Sequence, residues 1–356
     1  MNSLEAINNS REALTLELTE RIGHSHIQAR KGEIKRVLIC RPNHRLGNLL
    51  LITPLIQEIA EIFPDCKIDL FVKGDLAPTL FKNYETVHNI IQLPKRPFPH
   101  VWRYIESWVS IKKHQYDMVI NVDKGSSSGR LSMEIVNSKH KVSGDVLENI
   151  KSKFQDYEHH AKFPIYNFRN YLTELGLVQK DKPIPSLNLK LSALEIAAGK
   201  RLLKQLVHNS RKTICLFTYA TGNKCYSESW WENFYARLQA EFRQVNIIEV
   251  LPVQNISKLS FKAPTFYSKD IREIGSLIAN TDVFIGADSG IMHLANAVQT
   301  PTIGLFSVSN QNLYAPYDNN SVAINTNFTN TEQCIKIIND ILHYEFIYQP
   351  DLKIIS

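Results

Sequence analysis

Asp282-Val-Phe-Ile-Gly-Ala-Asp-Ser-Gly-Ile-Met-His-Leu-Ala-Asn-Ala-Val-Gln-Thr-Pro-Thr-Ile-Gly-Leu-Phe306, running on to Pro316, is the stretch whose reading decides the fold. Val283–Ala287 is a short apolar run of the kind that forms a buried strand, and Ile291–Val298 is a small, Ala-rich segment suited to a tightly packed helix. Asp288, Ser289 and Gly290 stand between them. Asp and Ser cap helices and Gly permits a close backbone approach, so the first N–H groups of the new helix face outward at the strand's carboxyl end. Such a turn binds anions. His293 falls at the start of the helix, where it either hydrogen-bonds a bound phosphate or simply packs. Thr300-Pro301 closes the helix before the next strand, Thr302–Phe306, which completes a β-α-β unit.

Outward from this unit, strand candidates recur with helical segments between them. Before a polar, proline-bearing stretch at Lys180–Pro185 they are Arg36–Cys40, Lys67–Val72, Asn89–Leu93, Met118–Val122 and Lys141–Ser143. After it come Thr213–Tyr219, Asn246–Leu251, Thr265–Tyr267, Val283–Ala287, Thr302–Phe306 and Val322–Ile324. Strands alternating with helices imply parallel sheets, so the fold class is α/β, with two doubly wound, Rossmann-like domains facing across a cleft. Two helices show recognisable starts, with Ser229 and Asp270 each followed three residues later by Glu. Pro54 kinks or restarts the helix that follows the first strand.

Composition limits the chemistry. The chain has 356 residues, 41 Lys and Arg against 35 Asp and Glu, and no long basic run, which suits anionic small substrates or a membrane surface better than a nucleic-acid track. Its five cysteines form no CxxC pair, so neither a zinc site nor a disulfide framework is indicated. Residues 1–32 lack the marks of a signal peptide and read as a helical extension, and no run approaches the roughly 18 apolar residues of a membrane span. The expected location is the cytoplasm.

Three stretches, in order, resemble glycosyltransferase family 9, the bacterial heptosyltransferases. They are Arg41-Pro-Asn-His-Arg-Leu-Gly-Asn48 with the following helix, Phe217-Thr-Tyr-Ala-Thr-Gly-Asn-Lys-Cys-Tyr226 with the Trp230 helix, and Asp288–Pro316. The resemblance spans roughly residues 34–344. It implies the glycosyltransferase B fold, with a helical extension at 1–32, an acceptor-side domain at 33–180, a donor-binding domain at 186–330, and a C-terminal helix and tail at 331–356. It also implies an inverting, metal-independent transfer from a nucleotide sugar such as ADP-heptose to lipopolysaccharide core or a related surface glycan. Neither a cofactor nor nucleic acid is implied, and peripheral association with the cytoplasmic face of the inner membrane is compatible with it. No DxD motif or other metal-ligand cluster is present in the sequence.

Within that frame Lys224 is placed to stabilise the leaving diphosphate. Thr218 and Thr221 offer hydroxyl contacts, and Asp288, Ser289, Gly290 and His293 complete the donor side. Lys95, Arg96, Trp102 and Arg103 form a basic, aromatic segment suited to an anionic sugar-lipid acceptor; the alternative is that Trp102 packs in the core and the charges are solvated. One departure stands out. Asn48 occupies the position of the family's presumed base, an Asp, and an amide cannot accept a proton at neutral pH. His44 and Asp123 are the substitute bases, each with a surface or capping role as its alternative. A catalytically silent nucleotide-sugar or glycan-binding homologue is therefore the second reading.

Overall fold

The structure is a computed structural model in which residues 34–343, apart from 97, 124 and 178–181, are described. The helical extension expected at 1–32 and the tail beyond 343 lie outside the described residues. The described chain divides into two compact units, one running to Ser192 and including Asn312–Tyr314, the other comprising Ala193–Gln311 and the residues from Ala315 onward.

The first unit holds five parallel strands, β1 (Arg36–Arg41), β2 (Lys67–Lys73), β3 (Val87–Leu93), β4 (Tyr116–Asn121) and β5 (Ser138–Val142), in the order β3-β2-β1-β4-β5. Val37, Leu38, Ile39 and Cys40 are all fully buried, because helices cover both faces of a parallel sheet and a central strand has no polar side to show. The second unit holds β6 (Thr213–Phe217), β7 (Asn246–Val250), β8 (Thr265–Phe266), β9 (Val283–Ala287), β10 (Thr302–Phe306) and β11 (Val322–Asn325), all parallel, in the order β11-β10-β9-β6-β7-β8. Both sheets are doubly wound. In each, the chain reverses its direction of growth beside the first strand, between β1 and β4 and between β6 and β9, and ligands of such sheets bind beyond the carboxyl ends at that switch point.

The extended segment after the expected linker runs with the first unit. Buried Glu58 accepts from Arg169 Nε and Nη2 at 2.8 and 3.1 Å, and the same guanidinium donates to the carbonyls of Lys182 and Pro183. Gln57 then binds Ser186 O, and Thr53 and Tyr84 bind the backbone of Asn188. These bonds carry the division to residues 192 and 193. The last helix, Thr331–His343, belongs to the second unit, where Cys334, Ile335, Ile338 and Leu342 enter its core.

Two local expectations are corrected. The helix Glu228–Glu241 is capped by Ser227, not Ser229: Ser227 is extended and its Oγ accepts from Trp230 N at 3.1 Å. The strand expected at Lys141–Ser143 is the end of a longer one that starts at Ser138. Asp270 does cap its helix, accepting from Arg272 N at 2.8 Å, and Pro54 sits in the first turn of a restarted helix, Thr53–Ile62. All five thiols are free. Burial pushes Cys40 and Cys66 up to about 12 and also raises Cys215 and Cys334, whereas Cys225 is partly exposed.

Trp231 is fully buried and shares the apolar core of the second unit with Ile214 and Leu216 of β6 and Ile285 of β9, which seats the Glu228–Glu241 helix that follows the Lys224 loop. Trp231→Ala is expected to cost about 3–5 kcal/mol, read as a lower urea midpoint for the second unit.

Candidate functional site

The switch point of the second sheet is where the residues expected to serve an anion come together. β6 and β9 are neighbours, so the loop after Phe217 and the turn after Ala287 open at the same edge. In the first of these, Gly222 has φ of 63°, in the left-handed region where a side chain is strained, and it starts the short 3₁₀ turn Gly222–Lys224. This turn brings Lys224 Nζ to 2.5 Å from Asp288 Oδ2. Asp288 is 5 % exposed, while the Lys224 side chain is 38 % exposed. A carboxylate so buried is costly without a partner, and Lys224 answers it.

Ser289 caps the helix Gly290–Ala297, its Oγ accepting from Met292 N at 3.3 Å. The first N–H groups of a helix have no intrahelical acceptor, and Ser289, Gly290 and Ile291 are all partly exposed. The ammonium is thus tied to the residue that precedes an accessible helix start. His293 lies deeper, at 4 % exposure.

The two threonines fare differently. Thr221 is exposed at the edge of the loop, whereas Thr218 is turned inward, donating to Glu249 Oε1 at 2.5 Å and accepting from Lys258 N at 3.3 Å. Ser257 donates to the other Glu249 oxygen at 2.5 Å. Burial raises the Glu249 carboxyl above its ordinary value, against the pull of these hydrogen bonds. Sequence reasoning missed Glu249. Its signal was present: one acidic residue inside the apolar strand Ile247-Ile248-Glu249-Val250. The network anchors the base of the Lys224 loop to β7.

The first sheet carries a second cation–aspartate pair at its own switch point. Arg41, at the end of β1 and 5 % exposed, places Nη1 2.9 Å from Asp123 Oδ2 just beyond β4. The other Asp123 oxygen accepts from Gly125 N at 3.1 Å. Arg41 Nε is buried and makes no hydrogen bond among the described residues, and burial lowers the guanidinium pKa despite Asp123. Asn48 is half-buried in the helix Leu46–Leu50.

His44 is exposed, next to Gly74, whose φ of 78° again selects glycine. A Cβ at Gly74 would stand 2.7 Å from Lys95 Cε and 3.2 Å from His44 Cβ, so the missing side chain lets the two converge. Burial, followed by the charges of Lys73, Lys95 and Arg45, holds the His44 imidazole below its ordinary value. Lys95, Arg96 and Arg103 are exposed, and Trp102 is 84 % exposed, which overturns its alternative as a core residue. The structure therefore joins Lys224 with Asp288, Arg41 with Asp123, and Lys95 with His44; Thr218 goes to a separate buried network. Among the described residues no three His, Cys, Asp or Glu side chains form a group able to hold a metal ion.

Two doubly wound parallel sheets, each with its own switch point, are the plan of the glycosyltransferase B fold. The model of glycosyltransferase family 9 (heptosyltransferase) matches residues 266–344. Lipopolysaccharide heptosyltransferase 3 of Escherichia coli is 23% identical over 303 residues, covering 78% of this chain and 85% of its own. The family 9 glycosyl transferase of Veillonella parvula superposes with a TM-score of 0.70 at 14% identity, over 88% of this chain and 99% of its own. The E. coli heptosyltransferase WaaC with ADP-2-deoxy-2-fluoro heptose gives 0.59 at 15% identity, over 86% and 99%. The family model that matches this stretch and the relatives that align along most of the chain are thus all heptosyltransferases or glycosyltransferases of family 9.

Asp123→Asn leaves the buried Arg41 guanidinium without its charge partner. It is expected to lower stability by about 2 kcal/mol in urea unfolding, with Arg41→Met/Asp123→Leu recovering most of the loss.

Proposed function

We propose that this chain transfers a sugar, heptose from ADP-heptose, to lipopolysaccharide core or a related lipid-linked glycan, with inversion and without a metal ion. The observation that carries this reading is the Lys224–Asp288 pair beside the Ser289-capped helix. In the transfer an acceptor hydroxyl attacks the anomeric carbon as the bond to the diphosphate breaks, and negative charge grows on the departing phosphate. Lys224 and the helix start supply positive charge there. Asp288 carries the wrong sign to bind phosphate itself; its work is to hold the ammonium in place. Because the acceptor is lipid-linked, the protein meets it at the cytoplasmic face of the inner membrane.

The proton of the acceptor hydroxyl needs a base, and Asn48 cannot serve. Asp123 is a poor substitute, since Arg41 and Gly125 N engage both its oxygens. His44 is the better one. With its pKa lowered it is neutral at neutral pH and can accept a proton, although the surrounding cations weaken it as a base. A silent donor-binding homologue remains the second reading, favoured by Asn48 alone.

Isothermal titration with ADP tests the donor site. Lys224→Ala is expected to weaken binding by at least about tenfold, and Asp288→Asn to weaken it as well, although that change removes a negative charge. Unaltered affinity in both variants rejects the second switch point as the donor site. Sugar transfer to extracted lipid acceptor tests the base. With His44 in that role, His44→Ala lowers turnover by about 10²–10⁴-fold, and the acid limb of the pH–rate profile lies below the ordinary histidine value, because a lowered pKa keeps the imidazole unprotonated further into acid. Were the base lost outright, wild type would bind ADP without transfer and Asn48→Asp would restore it.

A further inference from the structure

The helix Val101–Lys113 has two different faces. Its inner face is secured to the first sheet: Ser107 Oγ donates to Gln92 O at 2.9 Å, Trp108 meets Phe71 at 5.0 Å, and Ile111 is buried. The opposite face is apolar and uncovered among the described residues. Phe98, in the 3₁₀ turn leading into the helix, is 93 % exposed, Trp102 84 %, Ile105 46 % and Val109 40 %. From 102 onward these fall at i, i+3 and i+7, one continuous stripe along the helix. Isolated exposed apolar residues need no explanation, but an aligned stripe headed by two nearly bare aromatic rings does.

Its surroundings indicate the occupant. Lys95 and Arg96 precede the stripe, Arg103 flanks it, and Lys112 and Lys113 close it, all of them exposed; Glu106 is the one acidic residue on the helix. Aromatic and aliphatic side chains bordered by lysine and arginine fit the boundary of an anionic bilayer, where rings sit at headgroup depth and cations meet lipid phosphates. We infer that the surface formed by Phe98, Trp102, Ile105 and Val109, with its flanking cations, docks this protein on an anionic membrane. The rigid inner face makes the helix a fixed wedge, so the first unit approaches lipid in one orientation. The inference rests on this face alone and not on the transfer reaction.

The test is co-sedimentation of the full chain with vesicles of phosphatidylcholine, alone or mixed with phosphatidylglycerol. Wild type is expected to bind the mixed vesicles, more weakly as salt rises, and to leave phosphatidylcholine largely unbound. Phe98→Ser/Ile105→Ser/Val109→Ser is expected to reduce partitioning by about tenfold or more, and Lys112→Gln/Lys113→Gln by roughly fivefold for each lysine removed. Both variants should retain the wild-type circular dichroism and ADP affinity, so a folding defect is separable from a docking defect, and the donor-site reading can fail independently. Absence of vesicle binding by wild type overturns the proposal, as does equal binding by both variants. A wild-type dimer in sedimentation velocity that the triple variant abolishes, with vesicle binding unchanged, assigns the face to a second copy instead.

Discussion

A carboxylate buried at the end of a parallel strand has to be answered by a cation, and the answer to Asp288 organises the second unit. Lys224 reaches it only because Gly222 turns the preceding loop sharply and Glu249 holds the base of that loop through Thr218 and Ser257. The helix behind the loop is in turn seated by Trp231 in the apolar core. Charge, turn and packing thus converge on one ammonium beside one helix start. Such a group is oriented before any ligand arrives, which is the condition under which electrostatic stabilisation costs least during reaction.

The first unit repeats the arrangement with a different emphasis. Arg41 and Asp123 also lie at the switch point of their sheet, but here the cation is the buried partner and the carboxylate the more exposed one. The pair lies at the end of β1, just before the turn with His44 and the helix with Asn48, and offers no open cation. The cations in reach of solvent are displaced sideways, to Lys73, Lys95 and Arg45 around His44. The same topology therefore supports two electrostatic environments, one built around an accessible ammonium and one around an accessible imidazole.

Much of the fold was legible because strands buried on both faces leave unbroken apolar runs, and each run led to a strand within a few residues. The turn at Asp288-Ser289-Gly290 was legible for a local reason, since capping and glycine chemistry act within a few residues of sequence. What escaped the sequence was pairing at a distance. Nothing near Thr218 announces that its hydroxyl will meet a carboxyl on the next strand, and only sheet order brings Arg41 to Asp123. The cap of the Trp230 helix was misread because Ser227 and Ser229 are both followed by plausible first turns, and backbone geometry chooses between them. Trp102 illustrates the converse limit: a basic, aromatic segment does not say whether its ring faces a sheet or solvent.

The thiols give the molecule a built-in chemical asymmetry. Cys40, Cys66, Cys215 and Cys334 are sealed in the cores and held protonated, so alkylating reagents meet them only when a unit opens. Cys225 alone is partly exposed, and it directly follows Lys224. A single maleimide fluorophore would thus mark one known loop without mutagenesis, and the delayed labelling of the other four would serve as a clock for the opening of each half of the chain.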